Sequence, residues 1–385
     1  MPDAEGTART DGEQAAQRYV VIEPGDPAPS FRQRSTTNPQ YNFDTAAGRY
    51  LVLCFFGSSH HPAAPPVLDA VMNAPSIFND ERASFFGVTA DPADAGRVAE
   101  RMPGVRFFLD FDLAVSRLYG SAPVEAEANE RLGLRLLWIV IDPTMRVLKV
   151  IEFDHGGTHV AEVLDFLEAL PLPAVFAGPE LQAPILYLPN VFEPDLCRRL
   201  IELYEAHGGE ASGFMREIDG RTVVVADPDH KRRRDCSIED ETLVAELKRR
   251  VQRRIVPEIA KAHQFKVTRI ERNIVACYRS EDQGFFRAHR DNTTKGTAHR
   301  RFAVSINLNE EFEGGEIHFP EYGPRGFKPP PGGAVVFSCS LLHAVSPVTA
   351  GRRYAFLPFL YDDAAALVRE ANNRFLGPGM EDYIP

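Results

Sequence analysis

Apolar residues follow two rhythms along the chain. Between residues 50 and 170, short continuous apolar runs alternate with stretches of helical spacing. Residues 50–56 (YLVLCFF), 84–89, 106–109, 136–141 and 147–153 have strand length, and runs of that length bounded by turn residues read as buried strands. Helical character falls between them, at 65–72, 94–101 and 113–119, and a closing amphipathic helix is predicted over 158–169. Strands alternating with helices predict an α/β layer around a central sheet.

The second rhythm begins beyond residue 184. Leu196, Leu200, Ile201 and Tyr204 form one apolar stripe that Gly208-Gly209 closes. Leu243, Leu247, Val251, Ile255 and Ile259 recur every four residues and predict one long helix with a buried face. From Val267 onward the period shortens. Strand-like runs at 270–278, 285–289, 302–307, 315–319, 334–338, 343–347 and 353–360 are separated by Gly314-Gly315, the PPPGG at 329–333 and Ala350-Gly351. This is an all-β pattern of jelly-roll type with helices packed outside. Between the two rhythms, residues 169–184 hold four prolines and read as an extended boundary. The expected domains are a polar disordered tail at 1–18, an α/β domain at 19–170, a linker at 171–184 and a mainly β domain at 185–385.

Composition narrows the function. The chain has 385 residues, enough for two cores. A net charge of −11 argues against a polyanion binder, so no nucleic acid is expected. The basic run Lys248-Arg249-Arg250 with Arg253-Arg254 reads as a solvated helix face. No apolar run is long enough to span a membrane. The five cysteines are scattered, odd in number and free of C-x-x-C, which argues against a disulfide framework or a zinc site; reduced thiols fit a cytoplasmic protein.

The chemistry concentrates late in the chain. His289 and Asp291 stand two apart, and residues i and i+2 of a strand share a face. His343 follows on a late strand. Two imidazoles and one carboxylate are the ligand set of a facial triad, which leaves open positions on iron(II), Fe(2+). Arg353, ten residues beyond His343, is expected to face inward after a turn at 349–351. There it would hold the far carboxylate of 2-oxoglutarate by a paired planar contact. Tyr278 is placed to add its hydroxyl to the same carboxylate. Only one of Arg352 and Arg353 can point inside, because successive strand residues alternate. An H-x-D pair alone is a weak signal, and its force comes from the combination. Asn292, next to the H-x-D, and Arg234, in a basic loop at 230–236, are the candidate substrate contacts. His299 and His318 have spacings that do not suit the triad. The adjacent His60-His61 read as exposed rather than chelating.

Several motifs of this half resemble the prolyl 4-hydroxylase-like branch of the iron(II)/2-oxoglutarate oxygenases. They are Tyr278 upstream of His289-x-Asp291, the GGEIHFP at 314–320, the PGGAVVF at 331–337, and His343-x-x-x-Pro347-Val348 followed by Arg353. Collagen-type relatives carry Lys where this chain has Arg353, whereas many bacterial relatives carry Arg. The resemblance implies a double-stranded β-helix, Fe(2+), 2-oxoglutarate and O2 as cofactor and co-substrates, and ascorbate as an accessory reductant. It implies hydroxylation of an unactivated C–H of a small-molecule, amino-acid or peptide substrate.

The front half resembles the thioredoxin-like fold, and more closely the peroxiredoxins. The PGDPAPSF at 24–31, the VLCFFGSSHHP at 52–62, Phe108-Leu109-Asp110-Phe111-Asp112 and Leu137-Trp138-Ile139-Val140-Ile141-Asp142-Pro143 carry that resemblance. Ala64 stands where the family places its peroxidatic cysteine, and no thiolate means no thiol chemistry. Arg135 matches the arginine that supports the thiolate and reads as a remnant, and Cys54, inside a strand, as a small hydrophobe. The expected role is scaffolding, partner recognition or self-association into a homodimer. The rival reading is an oxygen- or 2-oxoglutarate-responsive sensing module, and a thiol peroxidase is the weakest of the three.

Overall fold

The apolar run at 50–56 forms β1 (Tyr50–Gly57), buried throughout except at its terminal glycine. The computed structural model describes residues 17–125, 132–378, 380 and 382–384. The chain divides into two compact units, the first through Phe176 and the second from Ala177. The tail expected at 1–18 lies, as far as residue 16, outside the described residues.

In the first unit β1 pairs in parallel with β2 (Ala83–Thr89), and β2 in parallel with β3 (Val105–Leu109). On its other side β1 pairs antiparallel with β4 (Leu137–Ile141), and β4 with β5 (Val147–Glu152). The order β3-β2-β1-β4-β5, crossed by α1 (Ala64–Met72), α2 (Ala114–Leu118) and α3 (Thr158–Ala169), is the mixed sheet of a thioredoxin-like domain, as expected. Alternation along β1 places Val52, Cys54 and Phe56 in one core with Val67 of α1 and Val163 of α3. Phe55 faces the other way and meets Tyr119, ring to ring at 5.8 Å. Pro65 and Pro66 occupy the first turn of α1, where a missing N–H loses no helical hydrogen bond. The helix expected at 94–101 shrinks to a 3₁₀ turn at Pro92–Gly96. The buried Asp94 carboxylate accepts from Ser59 N–H and Thr89 Oγ, so side chain and backbone bond each other instead of extending a helix.

In the second unit a short strand at Leu186–Leu188, paired with 334–336, precedes α4 (Pro194–His207), which ends on Gly208 at φ 83°. The chain at 230–236, expected as a loop, is paired backbone: β6 (Lys231–Arg232) and β7 (Arg234–Ser237). The long helix expected over 243–259 is two, α5 (Glu241–Arg254) and α6 (Val256–His263), because Pro257 lacks the N–H that a continuous ladder needs. Then come β8 (Arg269–Glu271), β9 (Ile274–Arg279), β10 (Phe285–His289), β11 (Phe302–Asn307), β12 (Ile317–His318), β13 (Gly326–Phe327), β14 (Ala334–Ser338), β15 (His343–Val345), β16 (Val348–Phe356), β17 (Phe359–Tyr361) and α7 (Asp363–Ala371). The turn expected at 349–351 lies inside β16. Gly351 takes φ 70° there, where a Cβ would come 2.2 Å from the Glu311 carbonyl oxygen, and Ser346-Pro347 is where the chain passes from the smaller of two sheets to the larger.

These strands make two sheets of a jelly roll. The larger runs β8-β17-β11-β16-β9-β7, with β14 also paired to β11, and the smaller runs β6-β10-β15-β12-β13. Period-two alternation gives the larger sheet two different faces. Val275, Cys277, Val304, Ile306 and Phe356 pack with Leu200, Leu247 and Val251 of the outer helices. Tyr278, Ala303 and Phe359 point the other way and share a second core with Phe286, Ile317 and Val345 of the smaller sheet. The same inward face carries buried polar side chains, among them Ser305, Asn307 and Arg353.

Candidate metal centre

The smaller sheet brings the three candidate ligands together. His289 ends β10 and His343 starts β15, and the two are direct cross-strand partners. Asp291 lies two residues beyond the end of β10, where its N–H donates to the Cys339 carbonyl at 2.9 Å. The strand pair thus sets the imidazoles and the tethered backbone sets the carboxylate. His289 Nε2 lies 3.6 Å from Asp291 Oδ1, and His343 Nε2 3.3 Å from Asp291 Oδ2. One ligand atom from each residue falls within 4.8 Å of the others.

The imidazoles are oriented from behind. His289 Nδ1 lies 2.8 Å from the Arg287 carbonyl oxygen and His343 Nδ1 3.0 Å from that of Leu341. A carbonyl only accepts, so each Nδ1 carries the proton and each Nε2 turns a lone pair toward Asp291. Phe286 stacks on His289 at 3.6 Å, and Phe337 meets His343 edge-on at 4.6 Å. Burial, with His343 beside it, holds the His289 imidazole down to about 4, which leaves it neutral at pH 7. Burial alone would raise the Asp291 carboxyl, but His343 and His289 hold it well below the usual carboxylate range. A neutral imidazole and an ionised carboxylate are the protonation states a metal needs.

Arg353 and Tyr278 project from the larger sheet into the same cavity. Arg353 is 1% exposed; its Nε donates to Asn307 Oδ1 at 3.1 Å and its Nη2 to Ser305 Oγ at 2.8 Å. Among the described residues no carboxylate comes within 4.0 Å of it. A buried guanidinium with neutral partners only is an incomplete ion pair, since burying an unpaired charge is costly. Burial pushes it down to about 10. Arg352 points outward to Glu281.

The substrate candidates sit elsewhere. Arg234 donates to the Gly209 carbonyl at 2.6 Å and does not line the cavity; it lines a neighbouring groove, and it is Arg233 that borders both. Asn292 donates to Ser340 Oγ at 2.8 Å and is likewise absent from the cavity wall. His299 is buried against Glu271 at 3.0 Å and His318 lies 3.7 Å from Glu316. Sequence reasoning missed Ser305, Asn307, Arg233 and Arg272. The first two were readable as polar residues at i and i+2 in the apolar strand FAVSIN; the arginines carried no comparable signal.

A second trio of ligand-type residues, His60, Asp91 and Asp94, lies in the first unit. Its groups are already engaged. Asp94 accepts from Ser59 and Thr89, Asp91 from Ser58 Oγ, and His60 Nδ1 sits 2.7 Å from an Arg97 guanidinium nitrogen. Cys54 is fully buried and burial pushes its thiol well up; Ala64 is fully buried too, and Arg135 pairs with Glu152 at the surface.

Residues 274–361 match the model of the 2OG-Fe(II) oxygenase superfamily, which bears out the resemblance drawn from the motifs of this half. A PKHD-type hydroxylase of Azoarcus sp. (strain BH72) is 39% identical over 74 residues, 19% of this chain and 31% of that one. A PKHD-type hydroxylase of Cupriavidus metallidurans is 38% identical over 80 residues, 18% of this chain and 35% of that one. The chain thus spans about a third of the length of the curated relatives it matches. Among solved structures, peroxidoxin BcpB from Mycobacterium tuberculosis is similar at 21% identity, with a TM-score of 0.34, over 39% of this chain and 99% of that one. A Trichoplax adhaerens prolyl hydroxylase, solved with a hypoxia inducible factor peptide fragment, is similar at 18% identity and a TM-score of 0.36, over 48% of this chain and 86% of that one.

Proposed function

We propose that the second unit is an iron(II)- and 2-oxoglutarate-dependent dioxygenase that hydroxylates an unactivated C–H of an amino-acid, peptide or related small substrate. The observation that carries this reading is the convergence of His289, Asp291 and His343 inside the segment that matches the oxygenase superfamily. The donor set fits iron(II): two imidazole nitrogens and one carboxylate on one side, with the other side open to the cavity. With 2-oxoglutarate and O2, iron(II) held there would supply hydroxylation coupled to decarboxylation of the co-substrate to succinate and CO2.

The chain does the rest by positioning. Arg353 completes its ion pair with the distal carboxylate of 2-oxoglutarate, while Ser305 and Asn307 hold its fork in the plane that a bidentate contact needs. Tyr278, opposite Arg353 on the paired strand, is read as a second contact to that carboxylate; its hydroxyl accepts from Arg233 Nη1 at 3.4 Å. Phe286, Ile317, Phe337 and Val345 keep the centre dry, which strengthens every charge interaction within it. Arg234 and Asn292 drop out of the substrate wall for the reasons given above. The first unit, without a thiol at residue 64, is read as a scaffold or recognition domain and as the means of self-association, and ascorbate as an accessory reductant.

The test uses the full chain with Fe(II), 2-oxoglutarate and a panel of amino acids and prolyl peptides. Iron-dependent 2-oxoglutarate binding and succinate release are expected. Loss of neither on His289→Ala or Asp291→Ala would remove the assignment of the centre.

A further inference from the structure

Three guanidinium groups line the cavity around His289, Asp291 and His343, and they are committed differently. Arg233 grips Asp235 with two prongs, Nε to Oδ1 at 2.7 Å and Nη2 to Oδ2 at 2.6 Å. Arg353 is assigned above to the co-substrate. Arg272 donates no hydrogen bond among the described residues. Its Nη2 lies 3.7 Å from Asp235 Oδ2, an oxygen that already accepts from Arg233 and Ser212. Its guanidinium carbon lies 5.2 Å from the centroid of the Phe359 ring, within cation–π range of an aromatic side chain of the cavity wall that Arg300 also approaches, at 4.0 Å.

The backbone at this residue is unusual as well. Arg272 and Asn273 join β8 to β9, and Arg272 takes φ 67°. A non-glycine residue in the left-handed region costs about 1 kcal/mol or more. A glycine would make the same turn without that cost, so turn geometry does not account for an arginine. Strained residues of this kind gather where a ligand is clamped.

Charge points the same way. Of the cavity's three guanidinium groups only Arg233 makes hydrogen bonds to a carboxylate among the described residues, that of Asp235. With Arg353 assigned to the co-substrate, Arg272 is the cavity guanidinium that a further anion can still engage.

We infer that Arg272 binds a carboxylate of the primary substrate, so that the substrate class is an organic acid such as a free amino acid or a peptide carrying a carboxylate next to the reacting carbon. This rests on the dioxygenase reading of the same site. Arg272 is a specificity residue: it holds the substrate through its charge and planar fork, with Phe359 beside it.

The experiment titrates the full chain, loaded with Mn(II) and 2-oxoglutarate without oxygen, with the common L-amino acids, their carboxamides and inorganic phosphate. At least one acid is expected to bind at least about tenfold tighter than its carboxamide. Arg272→Gln should remove that preference, while Mn(II)-dependent 2-oxoglutarate binding stays within about twofold of the parent. Arg272→Lys, which keeps the charge but not the fork, should retain part of it. The inference is overturned if no acid is preferred over its amide, if Arg272→Gln keeps the preference, or if phosphate outbinds every acid. It is overturned equally if Arg272→Gln loses 2-oxoglutarate, which would make Arg272 a co-substrate ligand. Failure of the parent chain to bind 2-oxoglutarate with Mn(II) would instead strike the reading of the centre itself, at the loading step.

Discussion

Tyr278 and Arg353 face each other directly across the β9–β16 ladder, with the guanidinium carbon 5.4 Å from the centroid of the tyrosine ring. Opposite residues of an antiparallel pair share a face, so this register alone sends both side chains inward and Arg279 with Arg352 outward. Arg353→Lys should therefore weaken 2-oxoglutarate binding by at least about tenfold, because an ammonium cannot make the paired planar contact. Arg352→Lys should change it by less than about twofold. Calorimetric titration of the Mn(II)-loaded chain separates the two.

The metal centre gives a second prediction. His289→Ala, Asp291→Ala and His343→Ala each remove one of three ligands, and each should lower Fe(II) or Mn(II) affinity by at least about a hundredfold in equilibrium dialysis. His318→Ala should leave metal binding as it is, since its nearest charged partner is Glu316.

A third prediction concerns acid stability of the first unit. Burial alone would raise the Asp80 carboxyl, but two hydrogen bonds from Arg106, at 2.7 Å each, and one from Ser84 hold it down to about 2. A carboxyl depressed in the folded state stabilises it above the unfolded value near 3.8, and that contribution is lost as pH falls through about 2. Discounted for the solvent that screens this pair, the linkage amounts to about 1 kcal/mol at neutral pH. Asp80→Asn should cost about that much at pH 7 and almost nothing at pH 2. Trp138, the single tryptophan, is buried in the first unit and reports its unfolding by fluorescence.

The thiols give a fourth. All five cysteines are free and buried, and burial pushes the Cys54 and Cys339 thiols well up. The native chain should react with a disulfide reagent at almost none of its thiols within minutes, and at all five once denatured. Ala64→Cys should add no fast-reacting thiol and no peroxide turnover, because residue 64 is fully buried at the start of α1.

Much of this was legible because period-two alternation decides both what packs and what reacts. His289-x-Asp291 and the choice of Arg353 over Arg352 follow from strand geometry alone. The breaks came where a local effect overrode the pattern. Pro257 cut a four-residue apolar repeat that otherwise ran unbroken, and Gly351 bent a strand where a turn was expected. The basic stretch at 230–236 looked like a loop because its charges are unusual in strands. Two of those charges, Lys231 and Arg233, are buried, and besides the nearby Asp235 they meet Ser212, Gly213 and Tyr278, which lie far off in sequence. Arg272 was invisible for the same reason: its meaning depends on Asp235 and Phe359, which only the fold brings near it.

The division of the site between two sheets has a thermodynamic consequence. The three metal ligands belong to the smaller sheet and its margin, whereas Arg353, Tyr278, Ser305 and Asn307 belong to the larger. A metal alone ties together neighbours that the β10–β15 ladder already joins. A co-substrate that touches the metal at one end and Arg353 at the other spans the gap and staples the two layers. The melting temperature should thus rise more with both ligands than the sum of their separate effects, and amide exchange should slow in β9 and β16 only when both are bound.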